Sequence, residues 1–455
     1  MLLLASMIAE KLSNVATLAK TGLCIIVLVA SLVCGFEAVA TGVNGTVYIR
    51  ADGTVDPPTA PVRRDGSVYM LIGSISGDIV VEKDDIVING TGYSIRGTKA
   101  KESRGISIVG RTNVTMGNLE ITRFWYGIWL SNSSHSNIFE NNITNNQRGI
   151  EVFSSVDNCI FRNDISNDLD GIELYAFSNN NSIFENRIAS NDYGVLIYNS
   201  FNNSVLRNII TENRYGGIFL HDSSNNSMFE NSLTSNWSGI ELDFHSDYNT
   251  VIGNIITENG DGIKFQRSSN SCVAKNRMVK NGYGLRLNSG SANNSVFENT
   301  IGANSRSGLC ISESSNNSIF CNDLANERQV FDPQNSSVNA WNDGPQHRGN
   351  YWNDHNVPDG NMDRIGDVSY VINENNTDEY PLIYPHLFYS AGYVPDPDLN
   401  EDGTTNIVDL TIAAKAFSST PGDLNWSPVA DMDINEAIDI MDISKLACEF
   451  GKTIE

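Results

Sequence analysis

The sequence predicts an all-β chain, a solenoid of stacked parallel strands known as a parallel β-helix, with a small α-helical module at its C-terminal end. Two periodic columns and one duplicated motif carry that prediction. A glycine followed by an aliphatic residue recurs at Gly105, Gly127, Gly149, Gly171, Gly194, Gly217, Gly239, Gly262, Gly284 and Gly308, in steps of 22 to 24 residues. An asparagine keeps the same beat at Asn141, Asn163, Asn186, Asn208, Asn231, Asn254, Asn276, Asn299 and Asn322, with an aliphatic residue or methionine two places on. A fixed period of this length marks stacked structural repeats. Where the repeats stop, an acidic loop followed by a helical stretch occurs twice.

Composition narrows the function classes. The chain has 455 residues, with 30 Lys and Arg against 54 Asp and Glu, a formal charge of -24. A phosphate-binding surface needs clustered basic residues, so nucleic acid is a poor candidate partner. Asparagine reaches 57 residues while 40% of the chain is hydrophobic, so the excess reflects repeated positions around a core and not disorder.

Residues 1–40 read as a signal peptide or membrane anchor. Lys11 and Lys20 precede the apolar run 22–36, and Ala38-Val39-Ala40 follows as a small-x-small cleavage pattern. The expected location is secreted or cell-surface, with a membrane touched only through this segment if it stays uncleaved. Cys159, Cys272, Cys310, Cys321 and Cys448 remain beyond it, an odd number without metal-ligand spacing, and read as structural. Triplets such as Asn44-Gly-Thr, Asn113-Val-Thr and Asn142-Ile-Thr would accept glycans on a secreted chain.

Residues 41–104 lack the clean period and read as an N-terminal cap with irregular first coils; solenoids need polar caps. Residues 105–390 hold the repeats. A period near 22 is shared with leucine-rich repeats, but each repeat here contains short β-branched stretches between Ser, Asn and Asp turns, with no helical segment and no Leu-x-x-Leu-x-Leu frame. In such a coil each residue stacks on its counterpart about 4.8 Å away, so the Asn column predicts a ladder of side-chain amide hydrogen bonds. The recurrent glycine predicts a bend with special backbone angles.

Alternation after each glycine turns Ile150 and Val152, Ile172 and Leu174, and their counterparts inward. The outward strip then carries Trp129, Glu151, Phe153, Glu173, Tyr175, Tyr198, Phe219, His221, Glu241, Asp243, Lys264 and Arg286, aromatic at one end and charged at the other. Ring faces suit the apolar faces of pyranoses, and carboxylates accept hydroxyl hydrogen bonds. The strip therefore predicts a polysaccharide site, with Trp129, Glu151, Phe153, Glu173, Tyr175, Tyr198, Phe219 and Arg286 binding the glycan. Asp243, Glu241, His221 and Lys264 are the candidates for chemistry of a lyase, epimerase or glycoside hydrolase.

Gly349-Asn-Tyr-Trp-Asn-Asp354, Asp363-Arg-Ile-Gly-Asp367 and Tyr380-Pro-Leu382 close the repeat region. This ending and the repeats before it, about residues 75–385, resemble the right-handed parallel β-helix family of carbohydrate-binding and sugar-hydrolase repeats called NosD-like. The resemblance implies the fold, and through the family name a copper-maturation role. The six histidines form no spaced cluster and no Met-rich tract accompanies them, which argues against copper.

Residues 391–397, ending in Pro395-Asp-Pro397, form a linker, and 398–455 a separate module. Asp398, Asn400, Asp402, Asn406 and Asp409 stand at positions 1, 3, 5, 9 and 12 of a calcium-loop pattern, with Gly403 at 6; Asp431, Asp433, Asn435, Asp439 and Asp442 repeat it, with Glu436 where the glycine belongs. That spacing wraps calcium in about seven oxygens. Helices are expected over 410–417 and 443–450. The duplicated loop-helix pattern resembles a dockerin over residues 396–451, which implies a cohesin-like partner docked on the helix faces, for instance at Lys415 and Lys445. The alternative to a glycan-binding protein is a non-enzymatic surface-layer or spacer protein displayed through this module.

Overall fold

The computed structural model describes residues 43–343, 348–361, 363–386, 397–400, 404–421, 423, 425–432, 437–448 and 450. It divides into two units, Met1–Trp237 and Ser238–Glu455. The N-terminal targeting segment, most of the linker, and Asp402, Asp433 and Asn435 lie outside the described residues. Among those described, no helix is long and apolar enough to cross a membrane.

In the first unit each coil contributes one strand to each of three parallel sheets. The coil containing Arg148–Phe153, Cys159–Phe161 and Asp164–Ser166 is representative. It meets the next coil in register, with Ile150 on Ile172, Ile160 on Ile183 and Ile165 on Ile188. All six side chains are fully buried. The core is thus a column of β-branched and aliphatic residues stacked on their own kind, as the alternation predicts. One stacked column on the second sheet is aromatic, where the rings of Phe139, Phe161 and Phe184 lie nearly parallel with centroids 5.4 and 4.8 Å apart.

The irregular start already belongs to this pattern: Val47–Ile49, Ile79–Val81 and Ile106–Ile108 are successive parallel neighbours. An antiparallel hairpin, Val62–Asp65 with Val68–Leu71, interrupts it.

One expectation about the repeat needs correction. The recurrent glycines do not make the bends. A Cβ on Gly149 would stand 2.5 Å from the Gly171 carbonyl oxygen and 2.9 Å from Ile165 Cγ2. These glycines therefore let adjacent coils approach. The bends are made instead by single residues in the left-handed region, such as Ser154, Asp157, Arg162 and Asn167 in one coil.

The asparagine column forms the expected amide ladder, and it is one of three. Asn186 donates its backbone N–H and its amide to Asn208 Oδ1 at 3.0 and 2.9 Å, and its amide also reaches the Ile160 carbonyl. Asn158, Asn181, Asn203 and Asn226 form a second ladder at another corner, and Asn191, Asn213 and Asn236 a third. A serine ladder runs beside them through Ser133, Ser155, Ser178, Ser200 and Ser223. Each side chain satisfies buried backbone groups that the corner takes out of the sheets.

The second unit has coils of the same type, with the strands Ser238–Asp243, Asp261–Gln266, Tyr283–Asn288 and Ser307–Ser312. Its own asparagine ladder ends at the closing motif. Asn322 donates to Asn350 Oδ1 at 2.9 Å, and the Asn350 N–H in turn donates to Asp378 at 2.7 Å. Trp352 Nε1 donates to the same carboxylate at 2.8 Å, and its ring stacks on Tyr370 at 4.0 Å. Asn339 and Trp341 likewise end on Asn376. Asp359, Asp363 and Asp367 accept backbone N–H groups of their own loop.

Two helices follow, α1 (Ile407–Ala416) and α2 (Ile440–Cys448), around Ala413, Ala416, Ala430, Met432, Ile438 and Leu446. Both begin three residues before the expected positions. Asn406 caps α1, accepting from the Val408 N–H while Asp409 accepts from the Asn406 N–H, a reciprocal capping box. The module meets the closing segment at Tyr384, whose hydroxyl donates to Asp431 at 2.7 Å and whose ring lies edge-on to Trp426.

Candidate functional site

The first unit presents the aromatic part of the strip. Register places Trp129, Glu151, Glu173, Leu196 and Phe219 in one outward column and Phe153, Tyr175, Tyr198 and His221 in the next. The rings stand one per coil: Trp129 on Phe153 at 5.8 Å, Phe153 on Tyr175 at 5.7 Å, Tyr175 on Tyr198 at 5.4 Å, and Tyr198 on His221 at 4.8 Å. Tyr175 is 37% exposed and the others are half-buried. Phe219 packs against Tyr193 at 5.3 Å. Stacking of β-strands at one coil spacing is what turns single sequence positions into this continuous aromatic surface.

Glu151 and Glu173 lie on that face but do not meet solvent, being only 4% and 6% exposed. The reason is Arg148, whose guanidinium reaches Glu151 at 3.0 Å, Asp170 at 3.2 Å and Glu173 at 2.7 Å. Burial, with the charges of Glu151 and Asp170, pushes the Glu173 carboxyl up to about 8 despite Arg148. Glu151 and Asp170 are raised too, chiefly by burial. Burial alone would lower Arg148, but the three carboxyls hold it above its ordinary value. The cluster therefore gathers three carboxyls, each raised above its ordinary value chiefly by burial, around one guanidinium.

Sequence reading missed Arg148 and Asp170 because each precedes a repeat glycine, where the alternation is broken. Their signal is an in-phase column of Arg104, Tyr126, Arg148, Asp170 and Tyr193. It also missed a cleft of about 640 Å³ lined by Asp78, Arg96, Glu102, Arg104, Ser107 and Phe124, which falls in the aperiodic region. Arg104 lies over Trp129 at 4.6 Å, joining the cleft to the aromatic face.

Three of the four residues proposed for chemistry, Glu241, Asp243 and Lys264, belong to the second unit, and His221 to the first. Glu241 is buried, with Lys264 Nζ at 2.7 Å on one oxygen and Ser238 Oγ at 3.0 Å on the other. Arg286 is likewise engaged with Asp261 at 2.9 Å and lies over Tyr283. Asp243 is half-buried beside Gln266 in register. Glu241 and Arg286 are thus each held by a charge partner.

His355 engages the Val368 carbonyl and His386 engages Asp323. Among the described residues no group of three His, Cys, Asp or Glu side chains is placed to hold a metal ion. The donor set of the C-terminal loops consists of oxygens, the ligand type that calcium takes. Asp398, Asp409, Asp431 and Asp442 are buried there. Asp409 accepts the N–H groups of Asn400 and Asn406, and Asp442 those of Met432 and Asp439, so in both loops the acid at position 12 accepts the N–H of position 9. The thiols of Cys159, Cys272, Cys310 and Cys321 are free and buried.

Residues 196–357 match the family model described as periplasmic copper-binding protein (NosD), and residues 104–256 match that of the right handed beta helix region. No protein of curated function matches the chain. Among solved structures, a substituted form of a periplasmic alginate epimerase is similar at 17% identity, covering 64% of this chain and 82% of that one, with a TM-score of 0.45. The A-module of a mannuronan C-5 epimerase from Azotobacter vinelandii is similar at 15% identity, covering 65% and 91%, with a TM-score of 0.42. The chain is a right-handed parallel β-helix similar, over residues 104–357, to the families that those two models describe.

Proposed function

We propose that this chain is an exported protein that binds a polysaccharide along the outward face of its β-helix and is held to a partner through a calcium-dependent C-terminal module. The observation that carries the glycan reading is the ladder of rings from Trp129 to Tyr198, one per coil, on a protein surface that would otherwise gain by burying them. Export rests on the apolar segment and cleavage pattern of residues 22–40 and on the periplasmic description of the matched family.

The calcium reading is supported by the duplicated oxygen set and the matched closure of the two loops. At corresponding positions after each loop, Ile407 and Val408 on α1 and Ile440 and Met441 on α2 expose large apolar side chains, which supports docking of a cohesin-like partner there. A second reading, a non-enzymatic surface spacer, is favoured by the second unit, whose face neutralises its own charges.

The test is a panel of uronic-acid and neutral polysaccharides on the full chain, scoring binding, new reducing ends and unsaturated products. Binding is expected, and Tyr175→Ala or Tyr198→Ala should weaken it at least about fivefold, as a lost ring contact of about 1 kcal/mol does. Products would make the chain an enzyme; silence across the panel would leave the spacer reading.

A further inference from the structure

We propose that the cleft at the start of the first unit is a subsite for a sugar bearing a carboxylate, with Arg104 as its anchor. The proposal rests on the glycan reading above and narrows it to a substrate class. The segment Arg96-Gly-Thr-Lys-Ala-Lys-Glu-Ser-Arg104 puts four basic residues into nine, in a chain with 30 basic against 54 acidic residues overall. That segment borders the cleft, and Arg96 and Arg104 both line it.

Arg104 differs from the other arginines of this face. Arg148 holds three carboxylates and Arg286 holds Asp261, whereas Arg104 has no ion-pair partner among the described residues. Its Nε is buried without a hydrogen bond. Its flat face is taken by Trp129 at 4.6 Å, which leaves the edge of the guanidinium, where the N–H donors are, for a ligand. A planar carboxylate matches that fork in a two-point contact, which a neutral hydroxyl does not.

The remaining lining suits a sugar ring. Phe124 offers an apolar wall, Ser76, Ser103 and Ser107 offer hydroxyls, and about 640 Å³ is room for one or two pyranose units. Two acids also line the cleft. Asp78 already accepts the Thr46 hydroxyl at 2.8 Å, and Glu102 is exposed. With a chain charge of -24, a polyanion is repelled by most of the surface, so recognition of its carboxylate concentrates where the basic segment lies.

The experiment is calorimetric titration of the full chain with a galacturonate tetrasaccharide and with the same oligosaccharide after reduction of its carboxyls to alcohols. The acid form should bind at least tenfold more tightly. Arg104→Gln should bring that ratio close to one, and Arg104→Lys should keep part of it. Arg96→Gln, an exposed change on the same cleft, should lower it severalfold and serves if Arg104→Gln fails to fold. Inorganic phosphate at millimolar concentration should not displace the acid oligosaccharide; displacement would make this a general anion site and overturn the sugar assignment. Equal binding of the two oligosaccharides, or an unchanged ratio in both glutamine variants, would overturn the inference while the glycan reading stands. No binding of either would overturn the inference, while the glycan reading would stand or fall on the wider polysaccharide panel.

Discussion

Asp168 shows how narrow the chemistry of a ladder position is. It occupies a corner otherwise held by Asn146, Asn191 and Asn213, accepts the Asn146 N–H, and leaves Oδ2 buried without a partner. Burial raises its carboxyl to about 8, against 3.8 for an ordinary aspartate. The folded chain thus holds a proton that the unfolded chain releases near pH 4, so stability falls as pH rises from about 4 to about 8 and levels beyond. Asp168→Asn restores an amide donor and removes the charge; it is expected to raise stability by about 1 to 3 kcal/mol, with the gain growing across that pH range. Urea midpoints of both proteins at pH 5 and pH 8 check this, and an equal gain at the two pH values would refute the protonation argument. The same scale explains why Glu151 and Glu173 were readable as outward but not as buried. Outwardness follows from alternation within one strand, whereas their cover comes from Arg148, whose reach into the next coil no local pattern reveals.

At the level of the coil, the three asparagine ladders do the work that turns usually leave to solvent. Asn208 accepts two N–H groups from Asn186 and gives its own to Asn231, Ile183 and Leu206. Asn208→Ala orphans groups on both neighbouring coils, each worth about 1 to 3 kcal/mol when buried, so a loss of about 3 to 5 kcal/mol is expected in chemical denaturation. An alanine variant within 1 kcal/mol of the parent would mean that water replaces the ladder. One ladder was legible because its asparagine precedes a strand at constant spacing. The others keep the same beat, but Asp168 and Ser271 substitute in their columns and blur it. The helices were legible in kind and displaced in position, since Asn406 spends its side chain on a cap as well as standing at a loop position.

For the chain as a whole, the fold was open to reading because repetition multiplies a weak signal, and the cleft was not, because it lies where the period fails. The junction at Tyr384 links the closing segment to the first acid of the second loop. Calcium added to the full chain is expected to bind, and Asp398→Ala should weaken one binding event at least tenfold. Tyr384→Phe should weaken only the event that involves Asp431, because that carboxylate loses the hydroxyl that orients it. A flat titration of the parent chain would remove calcium from the proposal. The ladders carry one further consequence, which concerns heredity. Asn163 hands its amide to Asn186 just as Asn186 hands its own to Asn208. Loss or duplication of one whole repeat in the gene therefore rejoins equivalent partners, while a cut of half a repeat strands every corner beyond it. Such a gene can lengthen or shorten its product in quanta of one turn, and recombination between repeats supplies those quanta.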